Sequence, residues 1–130
     1  MTRGRPPLVA QVNANPVAEK RGIVMHFLHE PRSLCDFSIM NPDRVAFVRV
    51  KRVRRLCWTI DELARQFAPE IAALRIIVSV PTISREIWIC SPKGVFRFFR
   101  ICDGSIIELG RDGMQLAPAL PGAAKGAASV

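Results

Sequence analysis

A chain of 130 residues holds one domain with a real core and has no room for a second. Hydrophobic residues make up 49%, but no apolar run approaches the ~18 residues of a membrane span, and the N-terminal MTRGRPPLVAQVN lacks an apolar stretch leading to a cleavage site; a membrane protein and a secretory leader are both disfavoured. The net charge of +8 and pI near 10.4 point instead to a polyanionic partner.

Residues 1–13, with Arg3, Arg5 and Pro6-Pro7, read as a flexible basic arm able to lie along a phosphate backbone. Asn15-Pro16 then reads as a helix start and Gly22 as its C-cap, which places Glu19 in the last turn of a short helix. The plain reading of Glu19 is an exposed helix acid. Gly22 to His29, GIVMHFLH, is nearly continuous in apolar residues and reads as a strand covered on both faces, with His26 half-buried; Glu30-Pro31-Arg32-Ser33 turns the chain.

Cys35 to Arg55 reads as a β-hairpin. Phe37 and Ile39 alternate with small polar residues on its first arm, and Val45, Phe47, Val48 and Val50 suit a pleated second arm. Between them Asn41-Pro42-Asp43-Arg44 has residues that favour a tight turn. If only Pro42 and Asp43 are looped out, Asn41 pairs with Arg44 and Asp36 comes opposite Arg49. A loop longer by two would bring Asp36 to Lys51, and a loop of three would turn it toward Val50. Arg49 and Lys51 project from one face of the second arm in every case.

Arg44, Arg49, Lys51, Arg52, Arg54 and Arg55 fall within one acid-free segment, which favours phosphate binding; the alternative is a solvated edge strand protected by charge. Thr59-Ile60-Asp61-Glu62 is a capping box. It opens an amphipathic helix with Leu63, Ala64, Phe67, Ile71 and Leu74 on one side, which Pro69 must kink or split. Ile76 to Val80 reads as a further extended apolar segment, and Arg85 to Cys90 and Val95 to Cys102 form a second hairpin around Ser91-Pro92-Lys93-Gly94. The alternation Phe96-Arg97-Phe98 is faintly similar to an RNA-binding sheet signature, but its spacing fails and the phenylalanines read as core. Ser105 to Leu109 follows as a short strand after the Asp103-Gly104 turn, and residues 110–130 read as a disordered Gly/Ala/Pro-rich tail. Cys35, Cys57, Cys90 and Cys102 show no zinc spacing with each other or with His26 and His29, so a reduced, cytoplasmic chain is expected.

An Asp at the start of one strand, a short hairpin turn and then an x-x-Lys strand in this order resemble the PD-(D/E)XK restriction-endonuclease-like nucleases, among them the archaeal Holliday-junction resolvases. The likeness runs over about residues 14–102, within a single domain expected at 14–109. It implies an α+β fold with a central mixed sheet of about five strands flanked by helices. Asp36 falls on the first metal-binding carboxylate, Lys51 on the catalytic lysine and Glu19 on a helix-borne acid, whereas Arg49 stands at the position of the second carboxylate. The resemblance therefore implies a DNA-binding protein with a degenerate, weak or inactive nuclease site. The alternative is an active enzyme in which Asp36 and a backbone carbonyl near Val50 hold Mg²⁺, Glu19 completes the ligands or orients water, and Lys51 stabilises phosphate charge. A third expectation is a structural protein that assembles, for example as a homodimer, through its Phe-, Ile- and Val-rich sheet.

Overall fold

A computed structural model describes residues 6–27, 33–55 and 58–116; Arg3, Arg5, His29, the 30–32 turn, Cys57 and the tail beyond Leu116 lie outside them. The element order is α1 (Pro6–Glu19), β1 (Ile23–His26), β2 (Phe37–Asn41), β3 (Arg44–Arg52), α2 (Ile60–Gln66), α3 (Ala68–Arg75), β4 (Ile83–Cys90), β5 (Phe96–Ile101) and β6 (Ile106–Leu109). The six strands form one mixed sheet in the order in which they occur along the chain. Only the β3–β4 pair is parallel, because the helical crossover α2–α3 separates its strands while the other neighbours are antiparallel. The fold is thus α+β.

Alternation along the strands gives the sheet two apolar faces, each with its own helical cover. On one face Ala14, Val17 and Ala18 of α1 pack with Phe37, Ile39, Val48, Val50, Trp88 and Phe98. On the other Leu63, Phe67, Ile71 and Leu74 of α2 and α3 pack with Ile87, Ile89, Phe99 and Ile101. Trp88 is fully buried and meets Phe37, Phe96 and Phe98 edge-on, with ring centroids 4.9 to 6.2 Å apart. The phenylalanines of β5 are therefore core and do not offer a stacking surface.

Local chemistry sets most of the boundaries. The Thr59 hydroxyl accepts from the Glu62 amide (3.1 Å) and the Glu62 carboxylate accepts from the Thr59 amide (2.8 Å), so α2 begins where the capping box predicts. Pro69 splits the helix and stands in the first turn of α3. Gly94, at φ 83°, closes the second hairpin in a conformation that a side chain resists.

Four expectations change. Helix α1 begins at Pro6, so residues 6–13 of the expected arm are helical, and Pro16 lies inside the helix. Strand β1 is an edge, with Ile23 71% and Met25 52% exposed, not a strand covered on both faces. Ile76–Val80 forms no strand, because the place beside β3 is taken by β4. Residues 110–116 are ordered by a turn in which the Gly110 amide donates to the Met114 carbonyl and Gln115 bridges back to Leu109.

The polar centre of the α1 face is Glu86, fully buried on β4. Arg21, just beyond α1, donates to both of its oxygens at 2.9 Å, and the Ser84 hydroxyl (2.7 Å) and the Trp88 indole N–H (2.9 Å) complete its partners. Burial alone would raise the Glu86 pKa, but the Arg21 bonds and charge, aided by Ser84 and Trp88, hold it below the ordinary 4.5. A depressed folded pKa contributes stability above the unfolded value, and that stability is lost as the pH falls through the folded one. Arg21→Ala should destabilise the protein by roughly 3–5 kcal/mol in urea unfolding, since it leaves a buried carboxylate unpaired. Glu86→Gln should remove the part of the stability loss below pH 4.5 that this carboxyl causes, which unfolding midpoints measured across the acid range would reveal.

Candidate functional site

The site is built by the β2–β3 turn. The Asn41 side-chain oxygen accepts from the Asp43 and Arg44 amides, both at 2.9 Å, and holds a loop of only Pro42 and Asp43. The register then runs from Asn41↔Arg44 to Phe37↔Val48. One step further, the Asp36 amide donates to the Val48 carbonyl (2.7 Å), and its side chain comes opposite Arg49.

Asp36 is 6% exposed, and both of its oxygens are engaged. Oδ1 accepts from Arg49 Nη1 at 3.0 Å and Oδ2 from the Val50 amide at 2.7 Å. Arg49 Nη2 reaches back to the Ser33 carbonyl, so the guanidinium ties the entry of β2 to the middle of β3. The neighbouring Cys35 thiol is pushed up to about 11 by burial, an effect that the Asp36 charge reinforces and Arg49 opposes. It stays protonated at neutral pH and packs as a small apolar group.

Lys51 leaves β3 on the same face as Arg49 and pairs with Glu70 of α3 (Nζ to Oε2, 3.2 Å). Glu19 is not brought to these residues. It is exposed at the end of α1, and that helix covers the opposite face of the sheet. The residues present do not fit a resident Mg²⁺: a divalent ion needs several oxygen ligands, and the one central carboxylate is already capped by a guanidinium and a backbone amide. Among the described residues no three His, Cys, Asp or Glu side chains converge as metal ligands.

The cation run does not form one patch. Arg49 is held by Asp36. Arg44 starts β3, while Arg52, Arg54 and Arg55 lie at its far end, separated from Arg44 by about 26 Å of extended strand. Arg52, Arg54 and Arg55 are exposed, and none has an ion-pair partner among the described residues. Sequence reasoning missed Glu70 and Glu86. Nothing local links Glu70 to Lys51. For Glu86 a signal existed: Ser84-Arg85-Glu86 is a polar triplet opening a strand that is otherwise apolar, the pattern of a buried polar network.

The two ion pairs should differ in their contribution to stability. Asp36→Ala exposes the Val50 amide to an empty pocket and strands a half-buried guanidinium, for an expected loss of roughly 3 kcal/mol. Lys51→Ala breaks a partly exposed pair and should cost no more than about 1 kcal/mol. Urea unfolding of both variants measures the contrast, and equal losses would mean that the Asp36–Arg49 pair does not organise the hairpin.

No protein-family model and no curated protein matches this chain in sequence, so the reading of the site rests on its geometry.

Proposed function

We propose that this protein binds nucleic acid, with DNA as the expected form, on a restriction-endonuclease-like core whose metal position has been converted into an ion pair. The element order α-β-β-β-α-β, with β3 parallel to β4 and an acid entering β2 opposite β3, supports that core. The observation that carries the reading is the engagement of Asp36: its two oxygens are spent on Arg49 and the Val50 amide, while Arg52, Arg54 and Arg55 stand exposed at the carboxyl end of β3. A carboxylate bound to arginine grips no ion, but exposed guanidiniums on a rigid strand end can grip phosphates, bidentately and without regard to sequence.

Binding of duplex, branched and single-stranded DNA and of RNA, followed by gel shift over a range of salt, tests the reading. Arg52→Ala with Arg54→Ala should weaken binding for every sequence and lower the log-log salt slope by about two units, one for each phosphate no longer neutralised. Unchanged affinity and slope would reduce the basic run to a solvated strand end.

Cleavage separates the binding protein from an enzyme. Wild type is expected to leave DNA uncut with Mg²⁺. Arg49→Glu restores an acid two residues before Lys51, and it should gain thermal stabilisation from Mg²⁺ and cleavage that Lys51→Ala abolishes. Efficient Mg²⁺-dependent cleavage by wild type, lost in Asp36→Ala, would overturn the inactive reading.

A further inference from the structure

We propose that the opposite end of the sheet, around Arg44, carries a separate anion site for a phosphoryl group. The end of α1, the β2–β3 turn and the 110–116 turn line an open cleft of about 530 Å³ there. Its charged lining is Lys20, Arg21, Arg44 and Arg111 against Asp43 and Asp112. Arg21 is taken by Glu86, but Lys20, Arg44 and Arg111 have no ion-pair partner among the described residues. Of the two acids, Asp112 is partly engaged, accepting the Met114 amide at 2.9 Å.

A further cation lies beside the cleft. Arg100 is half-buried, donating to the Ser84 hydroxyl (3.0 Å) and to the carbonyl of Gly113, a cleft residue (3.4 Å). It also lines a second cleft of about 290 Å³ that shares Arg44. Burial, and after it the nearby Arg44 charge, push the Arg100 pKa below its ordinary value, while Glu86 acts in the other direction. Arg44 and Arg100 are thus half-buried near one another, with the exposed Lys20 and Arg111 beside them, and the cations outnumber the carboxylates Asp43 and Asp112; such an excess is relieved by a bound anion.

The donors suit phosphate better than carboxylate. Two unpaired guanidinium forks and an ammonium offer more N–H groups than two oxygens can accept, and a tetrahedral dianion presents more acceptors. The cleft volume falls in the range of sites for small organic ligands, so a phosphorylated small molecule fits as well as a bare ion. Gly113, at φ 85°, allows this packing: a Cβ there would stand 2.6 Å from the Arg21 guanidinium carbon.

Thermal unfolding and calorimetry with inorganic phosphate, against chloride at equal ionic strength, test the site. Phosphate is expected to bind once per chain and raise Tm. Arg44→Ala with Arg111→Ala should weaken it at least about tenfold, while Arg65→Ala at the exposed end of α2 leaves it unchanged. If the first pair lowers stability by itself, Arg111→Glu on the exposed turn should give the same loss of binding. Two further probes distinguish the source of the phosphoryl group. Tighter binding of a 5′-phosphorylated oligonucleotide than of its unphosphorylated form, lost in Arg44→Ala with Arg111→Ala, identifies a nucleic-acid end. Binding of a 5′-mononucleotide without such a preference identifies a free phosphorylated molecule. Equal stabilisation by phosphate and chloride, or a full phosphate response in both Arg44→Ala with Arg111→Ala and Arg111→Glu, overturns the proposal. Because Arg44 and Arg111 stand at the opposite end of the sheet from Arg52, failure here leaves the nucleic-acid reading standing, and the reverse also holds.

Discussion

The register of β2 against β3 is the constraint on which the rest of the molecule depends. The Asn41 side chain holds a two-residue loop, and every later pairing follows from it, down to Phe37 opposite Val48. Because side chains alternate, a slip by one residue would turn Phe37 and Ile39 away from α1 and Asp36 away from Arg49 together. Apolar burial on one face therefore secures the ion pair on the other. Full burial of a side chain such as Phe37 contributes about 2–3 kcal/mol, comparable with the charge-assisted bonds of Asp36, so the core and the ion pair fix the same register together.

Features that depend on neighbours in sequence were legible from the residues alone. The hairpin turn, the capping box at Thr59 and the break at Pro69 each follow from side chains within about four residues, whose hydrogen-bonding options are few. The pairing of Asp36 with Arg49 was one of three registers that the sequence left open, and the two-residue loop held by Asn41 selects it.

Features that depend on distant partners were not. Asn15-Pro16 has the form of a helix start, yet α1 runs through it, since Ala14, Val17 and Ala18 bury against the sheet and offset the backbone bond that Pro16 removes. Ile76–Val80 has the β-branched composition of a strand but no free sheet edge to join. Arg21 and Glu86 are 65 residues apart, and only the finished sheet shows that the residue just after α1 anchors the centre of β4. The same holds for Lys51 and Glu70, where a cation read as part of a basic face meets an acid from the crossover helix.

The charge itself shows the difference between sequence and space most clearly. A net +8 suggested one cationic face, but a nine-residue strand spreads its cations over two faces and about 26 Å, and the sheet neutralises those near its middle. Arg49 meets Asp36, Lys51 meets Glu70 and Arg97 meets Glu108, each across neighbouring elements. Among the described residues, cations without an ion-pair partner stand at both ends of the sheet, Arg52, Arg54 and Arg55 at one and Lys20, Arg44 and Arg111 at the other. At physiological salt the Debye length is about 8 Å, so the two groups do not act as one field. The sheet ends differ in shape too. The Arg52 end offers cations on an exposed strand terminus, suited to a long backbone, whereas the Arg44 end sets them around an open cleft suited to a single anionic group. The two phosphate sites proposed for this small domain rest on which arginines the sheet leaves unpaired, and not on their number.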